Sequence, residues 1–172
     1  MLSVSRFLLI CYTAVFALVG ISSCTSDDDM RMPSDILGVW SPSDNLYLEF
    51  CEENIIHKLD IEYQDNESIG EWTKDVYYYE PGYNLVIYLT GETYANIYEI
   101  VELSQNKMTW CKVDQVSVEN SENITHIIGD IINKAQEGYK LNPELYQCFR
   151  YIPRDQFMDI LDRLDIFYPW IN

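Results

Sequence analysis

The chain has 172 residues with 28 acidic against 11 basic side chains, a formal net charge of −17. That surplus argues against nucleic acid as a partner, whose binding rests on neutralising phosphates, and against adsorption to anionic lipid headgroups. Aromatic residues make up 14% of the chain, with 14 tyrosines, a composition that suits a pleated, half-buried sheet surface.

In chain order, Arg6 leads an apolar run from Phe7 to Ile21. The run falls short of the roughly 20 apolar residues that span a bilayer comfortably. It fits instead the basic start, apolar middle and small-residue step of a secretory signal. It ends in Ile21-Ser22-Ser23-Cys24, followed by Thr25-Ser26-Asp27-Asp28-Asp29. This arrangement resembles a bacterial lipoprotein signal with its lipobox. The resemblance implies a diacylglycerol on the Cys24 thiol, cleavage before it and acylation of the new amine. Two or more acyl chains make such an attachment stable, whereas one holds only marginally. Residues 1–23 are thus expected to be a cleaved signal peptide, 24–35 a lipidated acidic tether and 36–172 the folded domain, with the membrane engaged through the lipid on Cys24. On charge alone, Ser26-Asp27-Asp28-Asp29 is a solvated tether. It also resembles the acidic motif after the lipidated cysteine in Bacteroidetes-type lipoproteins exported to the outer face of the outer membrane. A surface-exposed position on the outer membrane is therefore expected, with a periplasm-facing one as the alternative.

The remaining chain of about 150 residues is enough for one real core. Beyond Cys24 it carries three thiols, Cys51, Cys111 and Cys148. Three is an odd number, so at least one is free, and without a CxxC spacing they read as buried structural cysteines.

From residue 36 onward the chain alternates apolar and polar residues in short runs, the signal of strands and hairpins. Gly38-Val39-Trp40 belongs to a first short strand over 36–40. Leu46, Leu48 and Phe50 share one face of a strand over 46–51. Ile55, His57, Leu59 and Ile61 share one face of the next, over 54–62, and the polar turn between the two makes a hairpin. Aromatic strands follow at 69–80 and 84–90, separated by the Pro81-Gly82 turn. A hairpin of 94–103 and 107–114 completes a consecutive, antiparallel meander. The period then changes. Ile124, Ile127, Ile128, Ile131, Ile132 and Ala135 form one stripe of an amphipathic helix over 123–138. Asn123 can cap its start and Gly138 can end it. Residues 144–151 look extended again. Pro153 suits the first turn of a closing helix, with Phe157, Ile160, Leu161, Leu164 and Phe167 on its apolar face.

Gly38-Val39-Trp40 ahead of a run of hairpins resembles the glycine–any residue–tryptophan element that opens lipocalin barrels, and the hairpins through residue 114 resemble small lipocalin-like lipoproteins of Bacteroidetes. The resemblance covers residues 36–114 well and 144–168 loosely. It implies a mainly β fold, an antiparallel up-and-down barrel of about eight strands, with an amphipathic helix before the last strand and a C-terminal helix. It also implies that Trp40 plugs one barrel end and that a basic residue of the last strand, Arg150 or else Arg154, packs across it. The departure is the helix at 123–138, which could cap one barrel mouth or pack on the outside.

Residues with chemistry are few. His57, on an apolar strand face, is either a cavity group that orients a ligand or a core or rim histidine with one hydrogen bond. His126 lies beside the isoleucine stripe and is expected to be exposed. Two histidines without a ligand-spaced partner make a poor zinc site, so neither metal nor cofactor is expected. No calcium loop, phosphate loop, dinucleotide fingerprint or Gly-x-Ser-x-Gly element occurs. A catalytic pairing of Cys51, Cys111 or Cys148 with either histidine has no sequence signature and stays open only as a third reading, an envelope hydrolase; no catalytic residue is assigned. The aromatic set reads as core or as a stacking surface for a ligand. The leading expectation is a non-enzymatic lipid-anchored protein that binds a small hydrophobic or amphipathic ligand through Phe50, His57, Trp72, Tyr88, Tyr98 and Trp110. The alternative is a barrel filled with side chains that serves as a protein-interaction or structural module.

Overall fold

A computed structural model describes residues 36–65, 67–90, 93–118 and 124–170, apart from the side chain of Ile124. The expected signal peptide, the lipobox with Cys24, the tether 24–35 and the Asn123 cap lie outside the described residues. Eight strands close into one antiparallel barrel in sequential order: β1 (Gly38–Ser43), β2 (Leu46–Phe50), β3 (Ile55–Gln64), β4 (Glu67–Glu80), β5 (Leu85–Thr90), β6 (Tyr94–Leu103), β7 (Lys107–Ser117) and β8 (Tyr146–Ile152). Helix α1 (Ile124–Glu137) precedes β8, and helix α2 (Arg154–Arg163) follows it.

The helix before the last strand does not prevent closure. β8 pairs with β7, Met108 facing Phe149, and with β1, Trp40 facing Tyr151. Sequential pairing with closure removes the sheet edges that an open meander would expose. Tight turns set the register. Between β2 and β3, Glu53 and Asn54 take left-handed backbone at φ 63° and 62°, a conformation asparagine tolerates better than most residues. Gly138, at φ 87°, ends α1 as expected.

Every strand sends side chains to both of its faces, and here both are buried over much of the sheet. Inside the barrel, Trp40, Leu48, Phe50, Ile56, Tyr77, Val86, Tyr88, Ile100, Met108, Trp110 and Phe149 form one cluster drawn from all eight strands. Outside, α1 covers β5 and β6, with Ile131 packed among Leu85, Ile87, Ala95 and Ile97. The helix therefore lies against the barrel wall, and Lys134 Nζ ties it to Asp114 of β7 at 2.5 Å. A second outer cluster joins Val39, Tyr47, Leu59, Ile61 and Ile152 to Phe157, Ile160 and Leu161 of α2 and to Ile166 and Tyr168 beyond it. Among the described residues, no helix is long and apolar enough to cross a membrane.

Candidate functional site

The six residues expected to bind a ligand divide between two faces. Phe50, Tyr88, Tyr98 and Trp110 point inward. Trp110 stacks on Tyr98 with centroids 4.3 Å apart, meets Phe149 edge-on at 4.6 Å and reaches Phe50 at 6.3 Å. Its indole N–H donates to Gln147 Oε1 at 3.1 Å. Tyr88 lies further along the interior and donates to Asp75 Oδ2 at 2.6 Å. Burial and that carboxylate push the Tyr88 phenol far above its ordinary pKa. His57 and Trp72 point outward instead. Period two fixes which residues share a face but not which face looks inside, and Ile56, the neighbour of His57, takes the interior position.

Arg150 also differs from expectation. It lies on the outer face, more than half exposed, and pairs with Asp44 at 2.5 Å. Trp40 is wholly buried. It meets Tyr151 edge-on at 5.4 Å, and its indole N–H donates to Ile36 O at 2.8 Å. The partner across Trp40 is thus the inward neighbour of Arg150 in β8. Arg154, the second candidate, is bound to Glu49. The cysteines differ as well: Cys111 is buried, Cys51 half-buried and Cys148 exposed, all three as free thiols.

The outward residues assemble a polar site that the sequence did not single out. Glu49 of β2, His57 of β3 and Cys51 in the turn between them converge beneath the chain that follows α2. Antiparallel pairing sets Glu49 directly opposite His57, so their side chains emerge together on one face. His57 Nδ1 lies 3.0 Å from Glu49 Oε2 and 3.4 Å from Cys51 Sγ. The Tyr168 hydroxyl donates to Glu49 Oε2 at 2.6 Å, and the Arg154 guanidinium binds Glu49 Oε1. Glu49 is 8% and His57 7% exposed. A carboxylate so buried persists only when its oxygens are satisfied, and here three donors converge on it. Trp170 covers the His57 ring, Arg154 lies 4.4 Å from the Tyr168 ring centroid, and Trp72 donates its indole N–H to Phe167 O at 3.0 Å.

The chemistry available is limited by geometry. The thiol and the carboxylate approach the same imidazole nitrogen, whereas a cysteine nucleophile with an oriented base needs them on opposite nitrogens. Burial, aided by the charge of Lys74, holds the His57 pKa below its usual value. Burial pushes the Cys51 thiol up, against the opposing pull of Lys74. Neither shift favours a thiolate–imidazolium pair. What the three groups offer is a carboxylate, a thiol and an imidazole, with ligand atoms all within 4.8 Å of one another.

Two clefts lie on the outer surface on either side of the Asp44–Arg150 pair. One, of 290 Å³, is lined by Tyr47, Tyr63, Ile160 and Leu164. The other, of 730 Å³, is lined by Ser41, Asn106, Lys107 and Cys148.

The barrel belongs to the closed up-and-down antiparallel class and is lipocalin-like in general shape. No protein family, curated protein or solved structure matches the chain significantly.

Proposed function

We propose that this chain is a lipid-anchored envelope lipoprotein whose lipocalin-like barrel is filled by its own side chains and works from its outer face, as a protein-interaction or structural module at the cell surface. The anchor is Cys24, on the likeness of Ile21-Ser22-Ser23-Cys24 to a lipobox. The observation that carries the filled-barrel reading is the packing around Trp110, whose ring meets those of Phe50, Tyr98 and Phe149 inside the barrel. Eight strands enclose a space just wide enough for side chains or one small ligand, and here large rings occupy part of it. The outer clefts beside Asp44 and Arg150 offer charged and apolar groups to a partner.

A second reading, a small amphipathic ligand held in the barrel, is favoured by the other stretch of the interior. There Lys58 pairs with Asp60 at 2.5 Å, both partly exposed, near the Tyr88–Asp75 bond. Native mass spectrometry of the full-length protein, extracted in mild detergent from its own host, separates the two. The expected spectrum is that of the lipidated chain alone. A stoichiometric small molecule that survives gentle desolvation would replace the first reading with the second. For the anchor, Cys24→Ser is expected to abolish processing and membrane partitioning, and unchanged partitioning would overturn it.

A further inference from the structure

We propose that Glu49, Cys51 and His57 form a binding site for one zinc-class divalent cation, with Glu49 Oε2, Cys51 Sγ and His57 Nδ1 as its ligands. The inference concerns the outer wall of the barrel and does not depend on what the interior holds.

Tetrahedral zinc bound at about 2.0–2.3 Å holds neighbouring N, O and S ligands about 3.2–3.6 Å apart. The Cys51–His57 separation is 3.4 Å and the His57–Glu49 separation is 3.0 Å. Both separations are within about 0.2 Å of a tetrahedral edge, and the third, Cys51 Sγ to Glu49 Oε2, lies within 4.8 Å, so side-chain adjustments bring the three atoms to vertices of one coordination tetrahedron. They come from one hairpin, β2 and β3 with their turn, so the backbone already fixes their spacing.

The proton and charge balance also works. Without metal, the proton on His57 Nδ1 is shared with Glu49. With metal, the cation takes that place, the ring carries its proton on Nε2, and the Cys51 proton leaves to solvent. Two anions, the Glu49 carboxylate and the Cys51 thiolate, then match the two charges of the cation. Arg154 keeps its hold on Glu49 Oε1, and Tyr168 donates to the remaining lone pair of Oε2. Such outer partners are what orient a ligating carboxylate. Lys74, opposite His57 in the β3–β4 register, opposes the cation but favours the thiolate. Thiolate and imidazole select zinc-class metals over calcium or magnesium. Cys51 is half-buried rather than sealed, which leaves access for the ion, and three protein ligands would leave the fourth position to water.

The test is a titration of the full chain, purified in detergent under reducing conditions and without a polyhistidine tag, with Co²⁺ followed by Zn²⁺. The expected result is saturation at one cobalt per chain with a thiolate-to-cobalt charge-transfer band that zinc then bleaches. Cys51→Ser removes the band. His57→Gln and Glu49→Gln weaken zinc binding at least as much as loss of an outer partner does, roughly 10–100-fold. Cys148→Ser leaves the band in place. Where a variant of the buried pair fails to fold, Cys51→Ser, which exchanges a single atom, still decides. A folded wild-type chain with no saturable cobalt band overturns the site, as does a band that survives Cys51→Ser or disappears with Cys148→Ser.

Discussion

Trp170 lies flat on His57, with ring centroids 3.6 Å apart and planes within 2° of parallel. The contact clamps the last described residue of the chain onto the second hairpin of the barrel. Around it, Trp72, Phe157 and Tyr168 meet edge-on at 5.1–6.4 Å, a geometry that adds about 0.5–1.5 kcal/mol per pair beyond area burial. Trp170→Ala is expected to destabilise the fold by about 2 kcal/mol in urea denaturation. Phe167→Ala is the control. That side chain is 77% exposed and only its carbonyl is used, so the change should stay within about 0.5 kcal/mol. Equal effects from the two would show that the tail is held by something other than its rings.

Gly70 of β4 sits under the same segment. A Cβ added there would lie 2.9 Å from Ile166 Cγ2, 3.0 Å from its Cδ1 and 3.1 Å from Leu59 Cδ1. Ile166 is buried and has little room to give way. Gly70→Ala should cost about 1–3 kcal/mol, and Gly70→Ala with Ile166→Val should recover part of it. A neutral single variant would mean that the tail does not press on the sheet.

Trp110 meets three other rings inside the barrel, those of Phe50, Tyr98 and Phe149. Trp110→Ala is expected to cost about 3–5 kcal/mol. The variant should also gain binding of small apolar probes such as benzene that the wild type lacks, read by thermal shift.

The clasp between α1 and the barrel is pH-dependent. Partial burial raises the Asp114 pKa, but the hydrogen bonds from Lys134 and from the Gln115 backbone N–H outweigh it, and the net shift is downward. A carboxylate with a lowered folded-state pKa contributes stability above its unfolded value, near pH 4, and that contribution is lost as pH falls through the folded-state value. Denaturation midpoints of wild type and Asp114→Asn should therefore differ at neutral pH and converge in acid. Parallel curves down to acid pH would remove the clasp.

The free thiols give a direct check on which parts of the outer wall are covered. Cys148 is exposed, Cys51 half-buried and Cys111 buried. A disulfide-exchange reagent should modify Cys148 fast in the native state, Cys51 slowly and Cys111 only on unfolding, with Cys148→Ser deleting the fast phase.

The strands were legible in the sequence because their alternation and turn residues agree, and the two helices because their stripes repeat at 3.6 residues. The assignment of faces was not. Alternation sets Leu48 and Phe50 on one face of β2 and Glu49 on the other; the first two face the interior, and Glu49, on the outer face, is nevertheless buried. His57, Leu59 and Ile61 share a face, yet it is the one that α2 and the chain after it cover. A covered outer wall leaves a trace: on both β2 and β3, neighbouring residues such as Tyr47 and Leu48, or Ile55 and Ile56, are apolar together, as on strands buried on both faces. The Glu49 site was hidden for a different reason. Two of its members, Arg154 and Tyr168, lie more than 100 residues from Glu49 along the chain, and no local spacing connects them.

The seam between β1 and β8 joins residues more than 100 positions apart in sequence, Val39 with Ile152 and Ser41 with Arg150. A polypeptide released amino end first cannot complete that seam until β8, Tyr146–Ile152, has emerged, so the earlier strands wait as an unclosed sheet. Topologies with such distant pairings assemble slowly. For this molecule, the interval before the last strand docks is when a chaperone or a protease would find it most exposed.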